Sequence, residues 1–187
     1  HWTHDYFLKK HNNRTLTVTS QETLITGIHW KQDDGSKMWI VGTDGDSIDQ
    51  FSCSTPWLVD SCTYDSVTFS VSGQDTLPHD IWISEDGTRI FMIGDTNNAI
   101  FSYTCSVAWT ISSPNCSYDS ISTSTALYEG AVRGLDVSNG GTVVTFAGTT
   151  NDTAYQYTLS TPYDLSTASF STSVSITSNP TDVQISS

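Results

Sequence analysis

The chain has 187 residues and a formal net charge of −13, with 7 Lys and Arg against 20 Asp and Glu. This charge repels nucleic-acid phosphates and anionic lipids, which argues against nucleic-acid binding and docking on such membranes. No apolar run approaches the roughly 20 residues that cross a bilayer, so membrane insertion is also excluded. One ordinary domain with a hydroxyl-rich surface remains.

Residues 1–26 form a polar N-terminal segment, in which Arg14–Ser20 is typical of an outer strand without a partner. The first ten residues lack Met and the charged-then-apolar order of a signal peptide. We therefore expect either that such a peptide has been removed or that the chain is a piece of a longer one. His1, His4 and Asp5 can chelate a metal, although an irregular tail is the favoured interpretation.

The first repeat unit spans residues 27–71 and predicts four short strands. Ile28 and Trp30 alternate with polar residues, which predicts a strand with one buried face and with His29 on its outward face. An Asp34-Gly35 turn leads to a second strand, apolar on both faces, around Met38–Val41. The third strand is expected over Ile48–Cys53 and the fourth over Thr63–Val71.

The same order of elements returns in residues 72–125 and 126–178, and residues 179–187 begin it again. The turn glycines Gly35, Gly87 and Gly141 lie 52 and 54 residues apart. Trp82 alternates with Ile81 and Ile83, so we expect it to face a neighbouring unit. Four strands in about 50 residues are typical of a β-propeller blade, and the chain is predicted to be all-β.

The repeated pattern runs from a G-I/L strand through a D-G turn and K-M-W-I-V-G to F/Y-x-C/L-S-T-P-W/Y. It is best kept in Gly27–Gly42 and Tyr157–Ala168. It resembles the propeller repeats of phage tail-fibre and other extracellular surface proteins, and the resemblance covers nearly all of residues 14–187. The resemblance implies a β-propeller architecture but not a particular function, because such propellers serve many roles. The paired cysteines depart from the pattern.

Three blades and two partial strands do not make a ring, because propellers have at least four blades. We expect a fragment of a larger propeller, several copies that complete a ring, or an open head-to-tail filament. The predicted partners are therefore other copies of the chain or further blades of the same polypeptide.

The four cysteines allow three pairings. The repeat favours Cys53–Cys62 and Cys105–Cys116, because both members of the pair are replaced together in the third unit, by Leu159 and a residue near Ala168. Zinc is the alternative, but it prefers closer spacing and His partners.

Three acceptor patterns for N-glycosylation begin at Asn13, Asn115 and Asn151. Together with disulfides they predict a secreted glycoprotein, although a chain rich in Ser and Thr also forms such triplets by chance.

The acidic residues Asp44, Asp46 and Asp49 offer carboxylates to Ca²⁺, but they lie where a polar hairpin turn is expected in any case. We favour the turn and predict no cofactor, with Ca²⁺ as the alternative.

Trp57, Trp109 and Tyr163 recur at one loop position, where rings can stack on sugars or cap each blade's outer hairpin. We favour the cap. His79 precedes an inner strand near the expected channel mouth, where a general base is conceivable. It has no repeated partner, and no G-x-S-x-G nucleophile pattern is present.

The sequence thus predicts a non-catalytic, secreted structural or interaction module, a building block of an appendage or filament joined through its blade edges. A carbohydrate- or receptor-binding surface propeller and a fragment of a larger propeller enzyme are the alternatives.

Overall fold

The computed structural model describes residues 14–176 and 180–184, which form three four-stranded antiparallel sheets. Blade 1 contains β1 (Ile25–Trp30), β2 (Lys37–Gly42), β3 (Ser47–Cys53) and β4 (Cys62–Ser70). Blade 2 contains β5 (Pro78–Ile83), β6 (Arg89–Gly94), β7 (Ala99–Cys105) and β8 (Cys116–Ser124). Blade 3 contains β9 (Val132–Ser138), β10 (Val143–Gly148), β11 (Thr153–Leu159) and β12 (Ala168–Ser175). Each sheet keeps the chain order, which confirms the prediction of propeller blades in an open arc.

The first strands of the blades lie side by side at the centre, β1 against β5 and β5 against β9. Gly27 permits this approach, because a Cβ there would lie 2.8 Å from the Asp80 Cα. The blades pack through apolar cores at both junctions. Trp39, Ile83 and Met92 belong to the core between blades 1 and 2, and Trp82, Phe91 and Phe146 to the core between blades 2 and 3. The prediction that Trp82 faces a neighbouring blade is confirmed.

The prediction for the faces of β1 was wrong. His29 is buried, whereas Ile28 is 53% exposed. The covered side of β1 is the one that faces blade 2, and His29 pairs in register with Trp39 on that side. The alternation of apolar and polar residues correctly separated the two faces of β1. It did not show which of the two faces packs against the neighbouring blade.

The described residues before β1 and after β12, 14–24, 176 and 180–184, belong to none of the three sheets. Leu16 and Val18 lie against the outer face of blade 1, where the sequence predicted a strand. Asp182 and Val183 place their backbone beside Gly134, as Asp80 does beside Gly27. Residues 180–184 therefore occupy the position of a first strand next to β9.

A buried carboxylate closes the same turn in every blade. Glu22, Asp75 and Glu129 each accept three hydrogen bonds from backbone N–H groups. One donor is the residue two positions later in the chain, and the other two donors lie in the turn between the second and third strands. The donors, at 2.7 to 3.3 Å, are Leu24, Asp44 and Gly45 for Glu22, Leu77, Thr96 and Asn97 for Asp75, and Ala131, Thr150 and Asn151 for Glu129. We call these three residues the latch carboxylates.

The glycine that ends each second strand makes room for the latch. A Cβ on Gly42 would lie 2.3 Å from the Glu22 carboxyl carbon, and one on Gly94 would lie 2.2 Å from that of Asp75. The repeated glycine of the K-M-W-I-V-G pattern is therefore a packing requirement, since real Cβ atoms do not approach so closely.

Candidate ligand site at the centre of the arc

The first strands and residues 181–184 border a central groove of about 340 Å³. Its lining includes Gly27, His29, Asp80, Trp82 and Arg133. Every blade contributes its innermost strand, so the groove is the part of the molecule where all three repeats meet.

Asp80 joins blades 2 and 3 inside this groove. One carboxylate oxygen accepts a bond of 2.8 Å from the Ile81 N–H, and the other accepts one of 2.9 Å from the Leu135 N–H. Burial raises the pKa of Asp80 to about 7, and the two backbone bonds oppose that rise.

His29 lies against Trp82, with ring centroids 6.4 Å apart in an edge-to-face arrangement. Burial lowers the pKa of His29 to about 4, although a hydrogen bond to the Ile83 backbone raises it in part. The ring is therefore neutral at pH 7. Its Nε2 atom has no hydrogen-bond partner among residues 14–176 and 180–184.

At the end of the groove where the first strands begin, Arg133 organises a polar network. Its Nη1 donates to His79 Nε2 and to Asp95 Oδ2, each at 2.9 Å. Burial, and then the charge of Arg133, lower the pKa of His79. The lone pair that a general base would use is therefore engaged with Arg133.

At the opposite end, where the first strands run into their turns, the groove widens into a cleft of about 840 Å³. We call this cleft the mouth. Its lining includes Trp30, Trp57, Glu85, Asp136 and Tyr163. The described lining residues provide three aromatic rings and two carboxylates, and they include neither Lys nor Arg.

The three repeated rings have different surroundings. Trp109 stacks on Trp39 with centroids 5.8 Å apart, and Tyr163 stacks on Trp82 at 5.9 Å, so both pack against the preceding blade. Trp57 lies 5.7 Å from Trp30 of its own blade and is 54% exposed. Trp57 is thus the most accessible of the three rings that the sequence proposed for ligand stacking.

Each of these rings also covers a turn glycine. A Cβ on Gly35 would meet the Trp57 ring at 2.4 Å, and Gly87 and Gly141 stand in the same relation to Trp109 and Tyr163. The three aromatic residues themselves adopt φ near +60°. Each ring therefore covers the turn between the first and second strands, whereas the sequence analysis expected a cap on the outer hairpin.

The disulfides join Cys53 to Cys62 and Cys105 to Cys116, which confirms the pairing inferred from the repeat. Each links the end of a third strand to the start of the fourth. In blade 3 the register sets Leu159 opposite Ala168 at this position, and the buried Leu165 lies nearby.

The proposed calcium ligands do not converge. Asp44 accepts a hydrogen bond from Thr23, and Asp49 is buried and accepts one of 3.3 Å from the Tyr64 hydroxyl. The described part of the chain contains no group of three or more His, Cys, Asp or Glu that could hold a metal ion.

The three glycosylation acceptors differ in setting. Asn13 lies outside the described residues. The Asn115 amide donates to the Ser112 hydroxyl at 3.0 Å, and that of the exposed Asn151 donates to the Tyr128 carbonyl at 2.5 Å. Glycan attachment at these asparagines stays a prediction.

No family model and no curated protein matches the sequence. Solved structures resemble its fold. A putative 6-phosphogluconolactonase from Bacteroides uniformis has a TM-score of 0.61 and 10% identity over 87% of this chain and 44% of its own. A functionally unknown protein from Desulfotomaculum acetoxidans has a TM-score of 0.56 and 18% identity over 81% of this chain and 42% of its own. A Lactobacillus plantarum protein has a TM-score of 0.51, with 14% identity over 83% and 42%.

The TM-scores show a shared fold. At identities of 10% to 18%, the likeness says nothing about the function of this chain. The chain spans less than half of the length of each of these proteins. Among the residues that the structure describes, no helix is long and apolar enough to cross a membrane.

Proposed function

We propose that the chain is a non-catalytic, extracellular structural module, a building block of an appendage or filament that assembles through its blade faces. One repeat position carries the proposal. Ile81 and Leu135 are 2% and 4% exposed where the preceding blade covers them, whereas their counterpart Ile28 is 53% exposed. Covering Ile28 with another blade would bury apolar surface, which favours association.

The outer face of blade 3 is the second open surface. All but the first residue of β12 are exposed, and Val174 is 64% exposed. We propose that further blades, from other copies or from the same polypeptide, cover the outer face of blade 3 and the exposed part of blade 1 around Ile28, beside the area that Leu16 and Val18 already cover.

An extracellular location fits the two disulfides, since such bonds persist in oxidising compartments. The sequence resemblance to tail-fibre and other surface propellers belongs to the same proposal.

The absence of catalysis is also proposed. The His79 lone pair is engaged by Arg133, and the four cysteines are bonded to one another. A fragment of a larger propeller enzyme is the competing candidate, because the chain spans 44% of the Bacteroides protein.

Light scattering and electron microscopy across a concentration series test the assembly. We expect the wild-type chain to associate and Ile28→Asp to remain monomeric. Leu127→Asp is the matched control, because Leu127 is 90% exposed in a loop, and it should associate like the wild type. A wild-type chain that stays monomeric at high concentration would contradict the proposal.

Binding of carbohydrate is a second candidate, favoured by the exposed ring of Trp57 beside Trp30 at the mouth. A glycan array would test it with Trp57→Ala, which should lose binding, and Leu127→Ala, which should retain it. An array with no bound glycan would remove this candidate.

A further inference from the structure

We propose that a second copy of the chain joins head to tail at the centre of the arc, where Asp182 of one copy accepts a hydrogen bond from the Ile28 N–H of the next. Such a contact rests on the assembly proposed above, and its partner is specifically another copy of the chain.

Glycine and aspartate alternate at one position of the first strands. The residues at this position, in chain order, are Gly27, Asp80, Gly134 and Asp182. Each glycine makes room for the aspartate of the next strand. A Cβ on Gly27 would lie 2.8 Å from the Asp80 Cα, and one on Gly134 would lie 2.7 Å from the Asp182 Cα. The alternation therefore continues into the segment 180–184.

The step from an aspartate to the following glycine is made by a hydrogen bond. Asp80 accepts from the Ile81 N–H of its own strand through Oδ1, and from the Leu135 N–H of the next strand at 2.9 Å through Oδ2. Asp182 repeats the first half of this arrangement, since its Oδ1 accepts from the Val183 N–H at 2.7 Å. Its Oδ2 is the counterpart of the oxygen with which Asp80 reaches the next blade. Asp182 is exposed, so a partner can approach it.

Only a first strand with glycine at this position has an N–H group for the bond. The N–H groups of Ile81 and Val183 are bonded to the aspartate of their own strand, and the one in β9 is bonded to Asp80. In β1 the residue before Ile28 is Gly27, which has no carboxylate. β1 lies on β2 in the same register as β9 on β10, and Ile28 is 53% exposed. β1 of another copy is therefore the strand that fits.

The same pattern disfavours symmetric pairing of two copies. Two segments 180–184 that faced each other would bring two Asp182 carboxylates together, and like charges across an interface repel. Two β1 strands that faced each other would bring two glycines together and no carboxylate acceptor. The contact is therefore heterologous, and its repetition gives a closed ring or an open filament.

The outer parts of the two ends are also complementary. The Val18 carbonyl accepts from the N–H groups three and four positions later, both at 2.9 Å, as the Val71 carbonyl does after β4 at 2.9 and 3.1 Å. Residues 14–18 therefore occupy the outer position of a blade that precedes blade 1, and residues 180–184 occupy the inner position of a blade that follows blade 3. A head-to-tail contact brings these parts of one blade together. The described residues supply no second or third strand there, so we expect the contact to reverse on dilution.

Cross-linking between two single variants tests the orientation of the copies. Thr181 and Thr26 stand at the positions of His79 and Arg133, whose side chains lie 2.9 Å apart across β5 and β9. A mixture of Thr181→Cys and Thr26→Cys chains should cross-link with a short bifunctional maleimide, and neither variant should do so alone. Leu127→Cys is the control for either variant, because Leu127 is 90% exposed in a loop, and its mixtures should give no product.

Sedimentation equilibrium tests the carboxylate. Asp182→Asn should raise the dissociation constant of the assembly at least tenfold, because its amide nitrogen cannot accept from the Ile28 N–H. Asp44→Asn removes the same charge in the exposed turn between β2 and β3 and should stay within twofold of the wild type. General repulsion predicts the opposite sign, since removing a negative charge from a chain of net charge −13 would favour association. Circular dichroism checks that each variant is folded.

The head-to-tail contact would be overturned by a cross-linked product from either cysteine variant alone, or by none from their mixture. Wild-type affinity in Asp182→Asn would overturn it as well. If the wild type nevertheless associates and Ile28→Asp does not, the assembly itself stands without this contact. A wild-type chain that stays monomeric would contradict the assembly and the contact together.

Discussion

The two ends of the blades are held by different means. At the end where the first strands begin, the latch carboxylates accept hydrogen bonds from backbone N–H groups, and Arg133 donates to His79 and Asp95. At the opposite end, disulfides tie the outer strands of blades 1 and 2, while Trp57 and Glu85 are left exposed around the mouth.

This difference separates scaffold from candidate recognition surface. Polar groups that are buried and fully bonded contribute to folding, since leaving them unpaired is costly. Charged and aromatic groups that face open space are available to a ligand. The latch end therefore fixes the blades, and the mouth is the better candidate for binding.

The largest effect that tests this contrast is expected from Asp75→Ala. Three backbone N–H groups would lose their charged acceptor at the buried Asp75 position, which should lower the free energy of unfolding by about 3 to 5 kcal/mol. Urea unfolding measures it. Asp44→Ala, on the exposed side of the corresponding turn in blade 1, should cost less than about 1 kcal/mol. Equal losses of unfolding free energy in the two variants would contradict the distinction between a latch carboxylate and an exposed turn residue.

The disulfide of blade 1 should contribute less. Replacing Cys53 and Cys62 by Ala removes a cross-link that closes a loop of about ten residues, for which chain entropy gives about 2.7 kcal/mol. The urea midpoint should fall accordingly. A comparable loss is expected for the Cys105–Cys116 pair, and an unchanged midpoint in either double variant would contradict this account.

Asp80 and His29 should show opposite dependences on pH. The folded-state pKa of Asp80, about 7, exceeds its unfolded value, so its contribution to stability is present at low pH and is lost as the pH rises towards 7. The folded-state pKa of His29, about 4, is below its unfolded value, so its contribution is present above about pH 6.5 and is lost as the pH falls. Between pH 4 and 6.5 the two trends oppose each other.

Single variants should separate these trends. In Asp80→Asn the free energy of unfolding should rise with pH from 4 to 6.5, while in His29→Gln it should fall over the same range. Asp80→Asn should also cost about 1 to 3 kcal/mol, because an amide nitrogen cannot accept the bond from the Leu135 N–H. Equal slopes in the two variants would contradict the assignment.

The repeat made the blades predictable, because period, turn glycines and alternating apolar residues all depend on local sequence. The joint replacement of Cys53 and Cys62 in the third unit was enough to predict the pairing. The latch was missed, although Gln21-Glu22-Thr23-Leu24 and Gln74-Asp75-Thr76-Leu77 repeat before their first strands. A charged residue in a polar loop gives no local sign that it will be buried.

The mouth was less predictable, because it combines residues that are far apart in the chain. The sequence singled out the ring of Trp57, but Glu85 and Asp136 reach the same cleft only through the packing of three blades. The burial of His29 depends likewise on β5 and Trp82 of the neighbouring blade.

Hydrogen exchange at three turn amides tests the central claim that one latched blade is repeated three times. The N–H groups of Gly45, Asn97 and Asn151 lie in surface turns, yet each donates to a latch carboxylate. The account predicts slow exchange at all three, with Asp75→Ala releasing Asn97 first. Rapid exchange at these amides in the wild-type protein would contradict it.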